Sequence, residues 1–218
     1  MTGFRLGRER EGTVGFAVEA PAPARNMAAP WRPRDVNEPF VLRTARAEDL
    51  DAVNELHSRC SPESLRARYG VSRDRLRANE WRRLSDPAGG RTVIARPADG
   101  PDHVIAFASL LRTTRPAVGE ASVLVADDWQ GMGLGTLLAR RLVAISRFRE
   151  DEGVEASTLR GNVRALKILA SLNADIRYPA PGTVWGWLPL NPTHPVPRRT
   201  NAVEAAGARK TRTRTKET

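Results

Sequence analysis

The sequence has 218 residues, a formal net charge of +10 and one cysteine. This length suits a single domain with extensions and is enough to bury a sizeable core. A lone cysteine excludes an internal disulfide, and the longest mainly apolar run, 104–111, is far shorter than the roughly 20 residues of a bilayer span. The composition therefore predicts a cytoplasmic protein without a membrane segment.

The two ends of the chain differ in composition from its centre. Residues 1–39 contain five prolines and no sustained periodicity, which predicts a flexible leader that starts at either Met1 or Met27. Residues 191–218 carry seven Lys or Arg against two Glu and predict a disordered basic tail. Such a tail is either a solvated end or a weak electrostatic contact for nucleic acid or another anionic surface. The folded domain is expected over residues 40–190.

The first half of that domain predicts one strand followed by three helices. Apolar residues at Leu50, Val53 and Leu56 recur at helical spacing. Ser61 followed by Pro62 has the composition of an N-cap and the first helical position. The predicted elements are a strand at 40–44 and helices at 47–59, 61–69 and 72–84.

The second half predicts strands that alternate with helices. Three strands are expected at 92–96, 104–112 and 120–126, and two more at 154–159 and 183–190. Helices are expected from 134 to about 150, where leucines at helical spacing form one face, and at 163–172. This order indicates an α/β domain with a mixed central sheet of about six to seven strands, flanked by helices.

A glycine-rich turn joins the third of these strands to the helix at 134. The segment reads Val123-Leu-Val-Ala-Asp-Asp-Trp-Gln-Gly-Met-Gly-Leu-Gly-Thr136. Glycine permits a tight bend and the close approach of a ligand. The first helical turn beyond it has free backbone N–H groups and the positive end of the helix dipole. Strand, turn and helix therefore predict a pyrophosphate site, against the alternative of a purely structural turn.

Spacing separates the known phosphate loops. A nucleoside-triphosphate loop needs Gly-Lys-Ser/Thr after four residues, and no lysine lies near this turn. A dinucleotide loop needs a third glycine where Thr136 stands and an acidic residue after the next strand, which here ends in Leu159-Arg160. Both of these interpretations fail.

The remaining pattern, Gln130-x-x-Gly133-x-Gly135, resembles the Q/R-x-x-G-x-G/A signature of the GNAT superfamily of N-acetyltransferases. Asn162-Val-Arg-Ala165 is similar to the asparagine motif that these proteins carry after the fifth strand. Segments 60–69 and 119–125 resemble the catalytic domain of bacterial Pat-type protein lysine acetyltransferases. The resemblance implies the GNAT fold over about residues 40–190, with the fourth and fifth strands splayed apart for acetyl-CoA.

The resemblance also implies a set of site residues. Glu120 corresponds to the general base, which takes the proton that a lysine amine must lose before it attacks. Acetyl-CoA would be the acyl donor, with no metal required. The residues implied in cofactor binding are Val123, Leu124, Val125, Gln130, Gly131, Met132, Gly133, Leu134, Gly135, Thr136 and Asn162.

The acceptor is less strongly indicated than the cofactor. Many family members use a tyrosine seven residues beyond the asparagine as general acid, and Leu169 stands there. Tyr178 is nearby but is more easily interpreted as a packed or loop aromatic, and the family's Gly-Phe is replaced by Asn173-Ala174. A protein lysine is the favoured acceptor and a small-molecule amine the alternative. A non-catalytic module that senses acyl-CoA is the rival from another class.

Other reactive residues form no recognisable site. His57, His103 and His194 show no metal-ligand spacing with Cys60, which completes an apolar helical stripe and is expected in the core. Trp185 and Trp187 alternate on one strand face and are also expected to fill the core.

Overall fold

The computed structural model describes residues 39–71, 73–99, 103–115 and 117–191. The predicted leader up to residue 38 and the basic tail from residue 192 lie outside the described residues, and so do Met27 and His194. Within the described ranges, none of the helices combines the length and the apolarity that crossing a bilayer would require.

Seven strands of the described part of the chain form one mixed sheet, in agreement with the predicted α/β architecture. Its order is β1-β2-β3-β4-β5-β7-β6, and every neighbouring pair is antiparallel except β4 and β5, which are parallel. The strands are β1 Phe40–Thr44, β2 Gly90–Pro97, β3 Ala106–Arg112, β4 Val118–Val125, β5 Gly153–Leu159, β6 Asp175–Ala180 and β7 Thr183–Pro189.

Within the described residues, five α-helices cover the two faces of the sheet. Short 3-10 turns precede the first of them, at Ala47–Asp49, and follow β4, at Asp127–Trp129. The helices are α1 Leu50–Ser58, α2 Pro62–Tyr69, α3 Ala78–Ser85, α4 Leu134–Phe148 and α5 Val163–Ser171. As predicted, Ser61 is the N-cap of α2, where its hydroxyl oxygen accepts a hydrogen bond from the Ser64 amide at 3.2 Å, and Pro62 opens the helix.

Each face of the sheet has its own hydrophobic core. Leu134, Leu138 and Leu142 of α4 pack with alternate residues of β1, β2 and β3 on one face. Residues from α1, α2 and α3, among them Leu65 and Trp81, pack with Phe107 and Leu124 on the other. The alternation of β4 therefore turns Val123 and Val125 toward α4, and Leu124 toward α1, α2 and α3.

The two parallel strands separate along their length. β4 and β5 pair at Val118 with Gly153, at Gly119 with Val154 and at Glu120 with Glu155, and they have no further register pairs. From Ala121 onward the edge of β4 that faces β5 has no strand partner, so backbone groups along it can pair with a ligand. The carbonyl of Val125 also accepts a hydrogen bond from Gln130 Nε2 at 3.0 Å. The opening between β4 and β5 is the expected splay of the fourth and fifth strands.

Two elements differ from the sequence-based expectation. The helix predicted at 72–84 begins only at Ala78, because the segment before it is held in another way. The side chain of Asn54 accepts a hydrogen bond from the Leu76 amide at 2.8 Å and donates to the Leu76 carbonyl at 3.2 Å, which fixes this residue outside a helix. Strand β6 was not predicted. It lies at the edge of the sheet without a buried residue, so its sequence lacks the apolar alternation that reveals a strand.

Candidate active site

The glycine-rich turn has the backbone conformation that glycine alone adopts easily. Gly131 has φ of +83° and Gly133 has φ of +84°, both left-handed, and a β-carbon at either position would meet no atom within 4 Å. These glycines therefore serve the bend and leave space beside the turn for a ligand. Because α4 begins immediately afterwards, the amides of Leu134, Gly135 and Thr136 have no acceptor within the helix.

The turn opens into a cleft of about 970 Å³, here called the main cleft, which runs between α2, β4 and the start of α5. Nine of the predicted cofactor residues line it. They are Val123, Leu124, Val125, Gln130, Gly131, Gly133, Gly135, Thr136 and Asn162. The side chains of the other two point elsewhere, since Met132 is exposed and Leu134 is buried in the core. Their amides nevertheless lie within the same turn.

A smaller inner cavity of about 120 Å³ adjoins the main cleft. It lies between the sheet and the helices α4 and α5, and most of its lining is apolar. Residues common to both cavities mark their junction, and they are Ala67, Arg68, Val123, Asn162, Ala165 and Ile168. A ligand held at the glycine-rich turn can thus extend along β4 into the opening between β4 and β5.

Asp127 ties α2 to the glycine-rich turn. Its carboxylate accepts hydrogen bonds from the Ser61 amide at 2.5 Å, the Ser64 hydroxyl at 2.6 Å and Gln130 Nε2 at 2.9 Å. Burial alone would raise the pKa of Asp127, but the hydrogen bonds from Ser64 and Ser61 and the charge of Arg164 outweigh it and lower the pKa. The ionised carboxylate therefore fixes the distance between the start of α2 and the glycine-rich turn.

Asn162 lies at the N-terminus of α5, on the opposite wall. Its side-chain oxygen accepts a hydrogen bond from the Ala165 amide at 3.1 Å, and its nitrogen donates to the Thr158 hydroxyl at 3.0 Å. The asparagine thus caps α5 and fastens the helix to β5. The second N–H of its amide group remains available to a ligand in either cavity.

Two carboxylates stand where the strands begin to separate, at a position here called the splay point. Glu120 and Glu155 are register partners, and theirs is the last pair before β4 and β5 diverge. Glu155 accepts hydrogen bonds from Trp185 Nε1 at 3.0 Å and from Arg115, with which it also forms an ion pair. Glu120 is exposed, and its carboxylate makes no hydrogen bond or ion pair with any other residue in the described part of the chain.

Helix α2 brings a positive charge near the splay point. The guanidinium of Arg68 packs on the rings of Tyr69 and Phe107, with Cζ at 4.9 and 5.4 Å from their centroids.

Behind it, Tyr69 Oη lies 2.6 Å from Nε2 of His57, while Nδ1 of His57 lies 2.7 Å from the carbonyl of Val53. Because a carbonyl can only accept, Nδ1 carries a proton and the tyrosine hydroxyl donates to Nε2.

The tyrosine and histidine of that pair point into the core and away from the cavities. Tyr178, the other tyrosine, is 59% exposed and packs against Arg160, and it lines neither cavity. Leu169 lies in the wall of the inner cavity, where its side chain packs over Gly186. The described residues contain no group of three or more His, Cys, Asp or Glu that could hold a metal ion.

Sequence reasoning missed three charged residues of this region. Asp127 stands in the quoted glycine-loop segment, and its position directly after a strand was the available signal. Arg68 lies within the segment 60–69 but carries no local signature. Glu155 was hidden because its relation to Glu120 depends on the pairing of two strands that are distant in sequence.

Comparison with known proteins identifies the family. A model described as the acetyltransferase (GNAT) family matches residues 50–173, more than half of the chain. The chain belongs to the GNAT family of acetyltransferases. No curated protein matches the sequence.

Solved structures agree with this assignment at the level of the fold. The GNAT domain of PAT from S. lividans has a TM-score of 0.63 at 22% identity, and the match covers 69% of this chain and 90% of that one. The protein yncA from Salmonella typhimurium, solved with its cofactor acetyl-CoA, has a TM-score of 0.57 at 19% identity over 75% of this chain and 100% of that one. A GCN5-related N-acetyltransferase from Kribbella flavida has a TM-score of 0.56 at 23% identity, with coverages of 70% and 98%.

Family membership defines the activity in general terms. The chain is an acetyl-CoA-dependent N-acetyltransferase, which moves the acetyl group from the thioester to an amine. The fold class predicted from the sequence is confirmed, and so is the expectation of an enzyme.

Proposed function

We propose that this enzyme acetylates lysine side chains of proteins, with Glu120 as the general base. The observation that carries the proposal is the position of Glu120 at the last paired residue before β4 and β5 separate. Its carboxylate is exposed and free of hydrogen bonds and ion pairs with the rest of the described chain, so it can take a proton. We also expect the enzyme to act in the cytoplasm.

In this proposal the pyrophosphate of acetyl-CoA binds the amides from Gly131 to Thr136. The N-terminus of α4 favours an anion there, and the left-handed glycines keep side chains out of its way. Met132 and Leu134 contribute through their backbone, because their side chains lie outside the cleft.

The pantetheine arm then follows the free edge of β4 along Val125, Leu124 and Val123. The edge has unpaired backbone groups, so an amide-containing arm can pair with it as an added strand would. Asn162, on the facing wall, donates its free N–H to the arm. The thioester consequently comes to rest near the splay point, with an N–H of β4 facing the carbonyl oxygen.

The chemical step is a direct transfer. Glu120 removes a proton from the lysine ammonium, directly or through water, and the freed nitrogen lone pair forms a bond to the thioester carbon. The tetrahedral intermediate places its negative charge on the former carbonyl oxygen, and an N–H of β4 stabilises it. When the carbonyl re-forms, the C–S bond breaks and coenzyme A leaves as a thiolate. The nitrogen gives up its second proton, and the thiolate is protonated as the products separate.

The leaving thiolate needs no dedicated acid in this account. Leu169 stands where relatives carry a tyrosine, and it packs in an apolar wall with no proton to give. A thiol is acidic enough to leave without one, since its reference pKa is about 8.5. Solvent can protonate the thiolate after the bond has broken.

Two observations support a protein lysine over a small-molecule amine as acceptor. Segments 60–69 and 119–125 resemble the catalytic domains of Pat-type lysine acetyltransferases, and these segments form α2 and β4, beside the splay point. The GNAT domain of S. lividans PAT is among the structures that this fold matches.

The test compares acceptors side by side. The full-length enzyme is incubated with labelled acetyl-CoA and either a protein lysate or a mixture of polyamines and free amino acids, and the products are identified by mass spectrometry. The proposal predicts acetyl-lysine in proteins that is absent with Glu120→Gln. Labelling of the small amines alone would contradict it. A Glu120→Gln enzyme that retains wild-type turnover would contradict the assignment of the base.

A further inference from the structure

Arg68 lies at the junction of the two cavities and forms no ion pair with any residue that the structure describes. It lies on α2, and its side chain lines both the main cleft and the inner cavity. Its Nε atom is buried and donates no hydrogen bond to any residue of the described ranges. No carboxylate of those ranges lies within 4.0 Å of its guanidinium nitrogens. The rings of Tyr69 and Phe107 and the more distant charge of Glu120 act on the guanidinium, but no ion pair within the described ranges neutralises it.

This isolation distinguishes Arg68 from other arginines of the domain. Arg43 pairs with Asp49, Arg73 with Glu80, and Arg149 with Asp151. A desolvated guanidinium without an anion is unfavourable, and such local costs are typical of functional sites. The rings of Tyr69 and Phe107 hold the Arg68 guanidinium in a fixed plane, which prepares it for a planar ligand.

The pyrophosphate is not the best candidate for the missing anion. Ser64, whose hydroxyl accepts from Gln130 Nε2 at 3.0 Å, marks where α2 contacts the glycine-rich turn. Arg68 lies one turn further along α2, roughly 6 Å away along the helix axis, beyond the end that contacts the turn. The charge of Glu120 acts on it at this position, which relates Arg68 to the splay point.

Glu120 and Arg68 lie on the same side of the sheet. Glu120 alternates with Ser122 and Leu124, and Leu124 belongs to the core that Leu65 of α2 also enters. The carboxylate of Glu120, at the splay point, and the guanidinium of Arg68, in the wall of both cavities, therefore lie on the side from which one acceptor could reach them, although Glu120 itself lines neither cavity. An acceptor that carries a carboxylate close to its amine satisfies both charges.

The geometry points to Arg68 as a specificity residue that binds a carboxylate of the acceptor. This inference rests on the proposed function, and for a protein substrate the carboxylate is an Asp or Glu side chain beside the target lysine. For a free amino acid it would be the α-carboxylate. A guanidinium binds either of them through two parallel hydrogen bonds.

The experiment measures kcat/KM for two peptides that differ only in the residue next to the acceptor lysine, Glu in one and Gln in the other. The wild-type enzyme is expected to prefer the Glu peptide by about 10-fold or more, the factor for one charge-assisted hydrogen bond. In Arg68→Met the ratio of kcat/KM for the Glu peptide to kcat/KM for the Gln peptide should fall to about one, whereas Arg68→Lys should retain part of the preference. Arg82→Met is the control, because Arg82 is an exposed arginine of α3 that lines neither cavity, and it should leave the ratio of the two kcat/KM values unchanged.

Each outcome is informative. An equal ratio in the wild type and in Arg68→Met overturns the inference. An affinity for coenzyme A that falls in Arg68→Met, with an unchanged peptide ratio, would instead assign the guanidinium to the pyrophosphate and also overturn it. If neither peptide is acetylated, the protein-lysine proposal fails. The values of kcat/KM are then compared for free lysine and for lysinamide, which lacks the α-carboxylate. Loss of a preference for lysine in Arg68→Met would then still support the carboxylate site.

Discussion

Glu120 and Glu155 face each other across β4 and β5, but only one of the two carboxylates is free. Glu155 is held by Arg115 and by the indole of Trp185, and its side chain is 12% exposed. Glu120 is exposed and forms no ion pair within the described residues. Two adjacent glutamates thus have different surroundings. We expect substitution of Glu155 to lower the stability of the fold, and substitution of Glu120 to lower the rate of the reaction.

The variant Glu155→Gln should lose stability. It leaves Arg115 without its carboxylate, at a cost of about 2 kcal/mol, which lowers the melting temperature by roughly 4–8 °C in a chain of this size. Glu120→Gln should melt within about 1 °C of the wild type and lose about 100- to 10,000-fold in kcat, as expected when a general base is removed. Thermal denaturation and steady-state kinetics measure both effects. The opposite pattern would contradict the assignment of Glu120.

Asp127 joins α2 to the glycine-rich turn through four hydrogen bonds, which its carboxylate accepts from Ser61, Ser64 and Gln130. Asp127→Asn replaces one acceptor oxygen by a donor, so the cleft walls should loosen and the KM for acetyl-CoA should rise about 10-fold. Asp128→Asn is the control, since Asp128 is the exposed neighbour. An unchanged KM in Asp127→Asn would show that the hydrogen bonds of Asp127 do not shape the cofactor site.

The same variant has a pH signature. The pKa of Asp127 is lowered in the folded protein, so its ionised form adds stability that is fully present above the unfolded value of about 3.8. That contribution disappears as the pH falls through the lower, folded pKa. Denaturation curves of the wild type and Asp127→Asn should therefore differ at pH 6 and converge in strong acid. Curves that stay equally far apart at every pH would contradict the charge-based account.

His57 should make the fold sensitive to moderate acid. Burial lowers the pKa of His57 below its usual 6.5; the bond to Val53 opposes this shift, and the charges of Arg68 and Arg73 add to it. The neutral ring therefore adds stability above pH 6.5, and this contribution is lost as the pH falls toward the folded pKa, by up to about 1.4 kcal/mol per pH unit. In urea denaturation between pH 8 and pH 5, His57→Gln should lack this slope. A slope that persists in the variant would assign it to other groups.

Cys60 should be chemically inert in the folded enzyme. Its side chain is buried, and burial together with the charge of Asp127 raises the pKa of its thiol to about 11, against the weaker opposite effect of Arg59. At pH 8 a thiol-specific reagent should label the native protein at least about 100-fold more slowly than the denatured protein. Rapid labelling of the native state would contradict the packed position.

The cofactor half of the site could be predicted from the sequence because its signals are local. Gly131, Gly133 and the start of α4 follow one another along the chain, and the strand, turn and helix that they predict need no distant contact. The boundaries of most helices and strands are local in the same sense. The helix expected at 72–84 was too long because Asn54, 22 residues away from Leu76, binds that segment.

The acceptor half could not be predicted in this way because it is assembled by tertiary packing. Glu155 meets Glu120 only through the parallel register of β4 and β5. Arg68 reaches the junction of the cavities only because α2 lies across their opening. No spacing along the chain encodes either relation.

In the proposed function, the turn from Gly131 to Thr136 holds the pyrophosphate of acetyl-CoA. Isothermal titration with coenzyme A tests it through Gly133→Val, which places a β-branched side chain in the cleft at a φ of +84°. Gly182→Val is the matched control, since Gly182 has φ of +76°, is equally uncrowded and lies outside the cleft. We expect an affinity for coenzyme A that is about 100-fold weaker in Gly133→Val and unchanged in Gly182→Val. A folded Gly133→Val enzyme that binds coenzyme A as tightly as the wild type would contradict it.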